Sequence, residues 1–351
     1  MKQPKQTTLY FGLTTQSISI LVSIFFILLY ITYLIYMPYK AERHFRDGYN
    51  QTILKRYPLA IKELKLAQKY APWETHYQVQ LGRTYEAYAK QQPSPRLKLH
   101  YYKKIESLYK GMIRLDPRSP WFNNRLSLIY LSMAPIYASN SEKYMALALE
   151  NAKQAAHKAN QNPLFQLNYA SFLHRKNHLE DAKKYYLKTI GLDPSMGEAH
   201  FNLAAIYQGE GHLEKALTQY LHLYKHKPDF PQLDLAIASI YIQLNKNENA
   251  TVYLEKTIKK NPTKDSLQTL STLYTQMKEW NKAVPIYKKY FEQYELSETL
   301  HPYYIQALLQ TGKKENIITA FQSLQLFTTK FPDNTLAKEQ LSRLKPYIQF
   351  K

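Results

Sequence analysis

The sequence predicts an all-α protein in which one membrane-spanning helix precedes a solenoid of tandem helix-turn-helix repeats. Two series of residues recur every 34 positions: Pro194, Pro228 and Pro262, and Ala182, Ala216 and Ala250. A period of this length is typical of helix pairs stacked in tandem. A separate signal is the uncharged apolar segment from Ile18 to Met37, which predicts the membrane helix.

The helical pattern is clearest between residues 199 and 228, where apolar residues recur at steps of three and four. Ala204 and Ala216 are expected where the two helices of this unit approach each other, because both side chains are small. Gly211 suits the turn between the helices, since glycine adopts backbone angles that other residues avoid. Pro228 is expected to end the second helix because proline has no amide hydrogen.

The same pattern, read outward, predicts about eight units over residues 41–331, behind an N-terminal tail at 1–17 and the membrane helix at 18–37. Residues 335–350 are expected to form a helix that caps the last apolar face. Three of the units are irregular in length or sequence: 75–117, 120–162 and 298–331.

Two of the irregular units contain prolines between their predicted helices. Pro93 and Pro95 lie between Lys90 and Lys98, and they predict a connection lengthened into a loop. The second lengthened connection is expected around Pro135.

The block that contains Phe201, Ala204, Gly211, Ala216 and Pro228 resembles a tetratricopeptide repeat. This resemblance implies one antiparallel helix pair per unit and a right-handed superhelix. It also implies that an inner groove binds proteins or peptides, so the expected ligand is a protein segment.

In that family the groove is lined by fixed positions of the first helix of each unit. Transferred to this sequence, those positions give a candidate binding set: Arg83, Leu167, His174, Arg175, Phe201, Gln208, Leu235, Ser239, Ile242 and Gln243. The set is mostly apolar and amide-bearing. It therefore favours a peptide with apolar anchors over the cationic carboxylate clamp found in some members of the family.

The apolar segment is interpreted as a retained anchor. Twenty uncharged residues span a bilayer core at 1.5 Å each, whereas a cleaved signal would have a shorter apolar stretch and small residues at its exit. Here the exit is Tyr36-Met37-Pro38-Tyr39. Tyrosines at this end suit the membrane interface.

The positive-inside rule favours a cytoplasmic position for the repeats. Five basic residues follow the segment within twenty positions, and Lys2 and Lys5 precede it. The opposite orientation stays open, because Lys2 and Lys5 also suit a signal anchor and large domains can be translocated.

The formal net charge is +20, and residues beyond the apolar segment carry +18, since Lys2 and Lys5 are the only charges before Lys40. Such a field attracts anionic lipids, polysaccharides or nucleic acid, which makes an electrostatic binder the alternative function. The competing explanation is compositional, because lysines far outnumber arginines. Nucleic acid is not expected, since base and phosphate recognition favours arginine.

No catalytic, cofactor or metal motif is found, and no enzyme activity is expected. The pairs His174/His178 and His222/His226 have helical spacing, but the first pair straddles a predicted helix end. The second pair lies beside lysines without a nearby carboxylate and is interpreted as solvated surface. With no cysteine, the chain has no disulfide framework and no thiolate ligand for zinc. The oligomeric state is not predicted.

A second, narrower resemblance concerns the run Ala71-Pro72-Trp73-Glu74 and the Leu81-Gly82 that follows it. Residues 60–121 are similar to the repeat tails of bacterial O-antigen ligase-like membrane proteins. This implies a setting in envelope or cell-surface polysaccharide assembly. A single membrane segment cannot house the ligase site itself, so the resemblance implies a partner or adaptor role, and the function expected is a membrane-anchored scaffold.

Overall fold

The structure, a computed structural model, describes residues 15–349, which fall into two compact units divided between His178 and Leu179. Residues 1–14 and 350–351 lie outside the described residues, and with them most of the expected N-terminal tail, including Lys2 and Lys5. The described residues are predominantly α-helical, as the sequence predicted.

The first unit contains seven α-helices, and each packs against the next in the chain. They are α1 Thr15–Ile53, α2 Tyr57–Tyr70, α3 Thr75–Gln91, α4 Pro95–Leu115, α5 Pro120–Met133, α6 Ser141–Lys158 and α7 Pro163–Arg175.

Helix α1 is one uninterrupted helix of 39 residues that joins the apolar segment to the first repeat helix. Its part from Ser19 onward is long and apolar enough to cross a membrane, which makes it a candidate anchor or signal, and no other helix in the described residues meets that test. The apolar side chains up to Tyr36 are exposed, whereas Ala41 and Gly48 are buried. Pro38 lies inside the helix without ending it, so the apolar segment and the first repeat are joined without a linker.

The prediction of a lengthened loop between Lys90 and Lys98 is wrong. Only residues 92–94 separate α3 from α4, and the extra length of this unit lies in the two helices, of 17 and 21 residues. Pro95 takes the first helical position, where the missing amide hydrogen costs nothing. Around Pro135, by contrast, the expected lengthening is present as two short 3₁₀ helices, Ala134–Ile136 and Ala138–Asn140.

The second unit contains ten α-helices, again packed each against the next. They are α8 Leu179–Leu192, α9 Gly197–Gly209, α10 Leu213–His226, α11 Leu233–Gln243, α12 Asn247–Lys260, α13 Lys264–Gln276, α14 Trp280–Gln293, α15 His301–Gln310, α16 Lys314–Lys330 and α17 Thr335–Gln349. Helix α17 packs on α16, as expected of a cap.

The turns within the repeats share one backbone conformation. A residue with positive φ recurs at steps of 33 or 34 positions: Asn177, Gly211, Asn245, Lys278 and Gly312. In four of these turns the next residue donates its amide hydrogen to the carbonyl five positions back, as His212 does to Tyr207 at 2.8 Å. This is the Schellman arrangement that ends a helix, so the 34-residue period of the sequence is also a period of backbone conformation.

The close helix contact predicted from small residues is present. Ala204 of α9 and Ala216 of α10 are fully buried in one cluster with Tyr220, Leu233 and Ile237. A larger side chain at either alanine would separate the two helices.

Adjacent repeats are also joined by polar contacts between residues about one period apart. Lys183 pairs with Glu210 at 2.7 Å, and Lys256 Nζ donates to the Tyr224 hydroxyl at 2.8 Å while it lies 4.8 Å from the centre of the Tyr253 ring. Part of the lysine and tyrosine content therefore stabilises contacts between repeats, with the lysine ammonium held on aromatic faces.

His301 gives the second unit a dependence on pH that can be measured. Its ring is buried, stacks on Phe327 at 4.1 Å and lies 2.9 Å from the Ser323 hydroxyl. Burial lowers the pKa of His301 to about 4 from its usual 6.5, against a smaller opposing effect of Ser323. Below pH 6.5 the unfolded chain therefore binds a proton that the folded chain excludes.

We expect the contribution of His301 to the free energy of unfolding to be constant above pH 6.5. It should fall by up to about 3 kcal/mol as the pH drops to 4 and level off below pH 4. In His301→Phe, which keeps an aromatic ring on Phe327, this part of the dependence should disappear. The denaturant midpoints of the parent and the variant, compared at pH 7, 6, 5 and 4, measure this difference. An equally steep fall in the variant would show that other groups cause it.

Candidate functional site

The candidate site in the second unit is a cavity of about 730 Å³, called here the α9–α11 cavity, bordered by α9, α11, the preceding loop and the end of α12. Four of the residues predicted from the sequence line it: Phe201 and Gln208 on α9, and Leu235 and Ser239 on α11. The two residues on α9 are seven positions apart and the two on α11 are four apart, so each pair lies on one face of its helix.

The apolar part of the cavity is built around Phe201. Its ring lies 5.3 Å from Phe230 and 5.4 Å from Tyr220, measured between ring centres. Phe230 belongs to the loop that follows Pro228, and Gln232 in this loop has a φ of 63°, which turns the chain into α11. The loop thus forms one wall of the cavity, with an aromatic surface that can hold an apolar side chain.

The polar part of the cavity is centred on Ser239. Gln208 Nε2 donates to Ser239 Oγ at 3.1 Å, and Gln243 Nε2 donates to the same atom at 3.3 Å. Because Oγ accepts in both hydrogen bonds, its own hydrogen can still donate to a ligand carbonyl. The two amides are held in place by the serine, and their side-chain oxygens are available as acceptors.

One edge of the cavity is charged, which the sequence analysis missed. Lys260 pairs with Asp229 at 3.0 Å and with Asp234 at 3.1 Å, and these hydrogen bonds raise the pKa of Lys260. Asp234 is 8% exposed, and its Oδ1 is buried without a hydrogen-bond partner among the described residues.

Ile242 lines a second cavity, of about 430 Å³, between α11 and α13. Gln268, Thr272 and Gln276 of α13 line it as well, spaced four apart on one face. Since Ile242 is one turn from Ser239 on α11, the two cavities follow one another along this shared helix.

The predicted residues of the first unit do not form one site. Arg83 is exposed beside a separate cavity of about 390 Å³, with Trp121 and Arg125, and Arg125 forms an ion pair with Glu86. Leu167 is 8% exposed. Its side chain is buried, and its assignment to an open groove is therefore corrected.

His174 and Arg175 occupy the last turn of α7, where Arg175 is exposed and His174 is half-buried. Burial, and to a lesser degree the charge of Arg175, lowers the pKa of His174. The histidine is therefore neutral near pH 7 and can serve as a hydrogen-bonding group.

The histidine pair on α10 is exposed, as expected, and its ring centres lie 4.9 Å apart. His222 also stacks on His200 at 4.4 Å. Burial and then the neighbouring histidines lower the pKa of His222. Within residues 15–349 no group of three or more histidines and carboxylates is arranged to hold a metal ion.

Comparison with known proteins identifies the repeat type. The sequence pattern of the tetratricopeptide repeat matches residues 165–196 and 235–263. Human protein O-mannosyl-transferase TMTC1 is 25% identical over 223 residues, which are 61% of this chain and 24% of the human protein. The chain thus spans about a quarter of the length of this relative.

Two solved structures are among those similar to this chain. A tetratricopeptide repeat protein from Parabacteroides merdae is 14% identical with a TM-score of 0.49, over 77% of this chain and 99% of the other. Pseudomonas aeruginosa pilF is 16% identical with a TM-score of 0.48, over 67% of this chain and 99% of the other. With the family pattern in two segments and recurrent helix-turn-helix packing, the chain carries tetratricopeptide repeats.

Proposed function

We propose that the protein is a membrane-anchored, non-catalytic scaffold that binds an extended segment of a partner protein along α9, α11 and α13. The observation that carries this proposal is the α9–α11 cavity, in which an aromatic wall at Phe201 and Phe230 and the hydrogen-bonded pair Gln208 and Ser239 surround one space. Recognition of extended peptides combines such apolar pockets with hydrogen bonds to the backbone.

The chemistry of the lining defines the ligand. An apolar side chain would occupy the space between Phe201 and Leu235, and backbone groups of the ligand would pair with Gln208 and Ser239. The second cavity, beside Ile242, would receive the following residues of the peptide.

The membrane setting is part of the proposal. We interpret the apolar part of α1 as the anchor, in a bacterial inner membrane. The repeats would lie on the cytoplasmic side, because basic residues are enriched after the segment. Residues 41–331 would form about eight helix-turn-helix units. The resemblance of residues 60–121 supports a setting in envelope polysaccharide assembly, in which the protein brings partners together.

Filling the α9–α11 cavity tests the proposal. A photo-crosslinking amino acid at the exposed Gln243 should capture a partner in native membranes, and Ser239→Arg should reduce this capture at least tenfold, because the new side chain occupies the cavity. Mass spectrometry of the crosslinked product identifies the partner and its contacting segment.

Thr218→Arg is the matched control, since it adds the same side chain at an exposed position of α10 and should leave capture unchanged. Both variants should keep the helicity of the parent in circular dichroism. Equal capture by Ser239→Arg and the parent would contradict binding in this cavity.

A further inference from the structure

A cavity of about 660 Å³ lies where the apolar part of α1 meets the first repeat. We call it the juxtamembrane cavity. Its lining includes Tyr36, Tyr39, Lys40 and Arg43 on α1, and Leu59 on α2. All of these residues belong to the first unit.

The position of this cavity along α1 places it at the surface of a bilayer. The exposed apolar residues from Ser19 to Tyr36 extend about 27 Å at 1.5 Å per residue, close to the thickness of the hydrocarbon core. The next residues, up to Arg43, therefore lie at the depth of the headgroups. Tyr36 and Tyr39 are exposed there, as amphipathic rings at an interface should be.

The two cations nearest the membrane are not neutralised. The Lys40 ammonium lies 4.5 Å from the centre of the Tyr70 ring and 5.8 Å from that of Tyr36. Within residues 15–349 no carboxylate is within ion-pair distance of Lys40 or of Arg43. The aromatic contacts hold the ammonium in place without cancelling its charge for an anionic ligand.

Two carboxylates, Asp47 and Glu63, also line the cavity. Both lie on the side away from the bilayer, since Asp47 is one helical turn beyond Arg43 on α1 and Glu63 pairs with His44 at 2.7 Å. Glu42, nearer the membrane, pairs with Arg46 at 3.1 Å. The lining residues nearest the headgroups, from Tyr36 to Arg43, therefore carry only positive charge.

We propose that the juxtamembrane cavity binds the phosphate group of an anionic phospholipid from the adjoining leaflet. Lys40 and Arg43 contact the phosphate, and the exposed rings of Tyr36 and Tyr39 contact the glycerol and the upper acyl chain. A lipid is favoured over a soluble phosphate because the cavity continues from a membrane-spanning helix. The inference rests on the anchor of the proposed function, and the bound lipid would hold the first repeat against the membrane.

The full chain in nanodiscs tests this inference. Discs of phosphatidylcholine with a small fraction of photoactivatable phosphatidylglycerol should give lipid crosslinks within residues 36–63. Lys40→Gln with Arg43→Gln should reduce them about tenfold or more, since each basic residue near a membrane surface contributes several-fold to anionic lipid binding.

Two further variants act as controls. Lys55→Gln with Arg56→Gln makes the same change in charge in the turn beyond α1, whose end lies about 20 Å from Lys40 along the helix axis, and should keep the crosslinks. Lys40→Arg with Arg43→Lys keeps both charges and should also keep them. Excess inorganic phosphate should not compete, whereas unlabelled phosphatidylglycerol should.

Several results would overturn the inference. Equal losses in the two double-glutamine variants would show only a general attraction of charge, and equal crosslinking of a phosphatidylcholine probe would show no headgroup selection. Competition by inorganic phosphate would make the site one for soluble anions. Failure of the chain to enter discs would contradict the anchor as well, whereas loss of lipid crosslinks with normal capture of a partner at Gln243 would contradict the lipid site alone.

Discussion

Replacing Ala216 with glutamate is expected to destabilise the second unit by about 3–5 kcal/mol, because overpacking and the burial of a carboxylate act together. Ala216 is fully buried in a cluster with Ala204 and Tyr220, at the contact between α9 and α10. Stability in a solenoid is shared with nearest neighbours. Hydrogen-exchange mass spectrometry should therefore show lost protection in α9 to α12, with α15 and α16 much less affected.

Thr218→Glu is the control, since it places the same carboxylate at an exposed position of α10 and should change stability by no more than about 0.5 kcal/mol. Uniform loss of protection across the second unit in Ala216→Glu would show that the unit unfolds as a single cooperative block. Unchanged protection would show that the two helices have room to separate.

The second large effect is expected from truncation of α1. Deleting residues 1–38 should give a soluble helical protein with an almost unchanged unfolding temperature, because the part of α1 that packs on α2 is kept. In that part Ala41 is fully buried, and the Cβ of any larger residue at Gly48 would lie 2.7 Å from Leu64 Cγ.

Deleting residues 1–54 removes that packing too. It would expose Ala60, Leu64 and Ala67 of α2, all fully buried in the intact chain, and should cause aggregation or an earlier unfolding transition of the first unit. Sedimentation and thermal circular dichroism compare the two proteins. Insolubility of the shorter deletion would contradict the assignment of the apolar segment as a separate membrane anchor, and equal stability of both would show that α1 does not support the first repeat.

The fold class was determined by local patterns in the sequence. Apolar residues at steps of three and four specify helices, and small residues such as Ala204 and Ala216 specify where two helices can touch. The 34-residue period was enough to predict repeated helix pairs. It also predicted the turn at Gly211, whose φ is 78°. These features need only neighbouring residues, so they are readable from sequence.

The candidate site was predictable only in part. Phe201, Gln208, Leu235 and Ser239 come together because their helix faces follow from the repeat register. Asp234 was missed, because an acidic residue in the first turn of a helix is also expected from the helix dipole alone. Its role depends on Lys260, which is 26 positions away and pairs with it only after α12 folds against α11.

Only the tertiary structure shows which side chains are buried and which charged side chains have no ion-pair partner. Leu167 has the register of a groove residue, yet its neighbours cover it, and Pro95 starts a helix where a loop was expected. Arg43 and Arg46 each have an acidic residue one turn away on α1, Asp47 and Glu42, yet among the described residues only Arg46 lies within ion-pair distance of that neighbour. The sequence by itself determined the helices, their period and the membrane segment, because these depend on residues within one or two turns. Which side chains remain available to a ligand depends on contacts between elements a whole repeat apart, and no local pattern encodes those contacts.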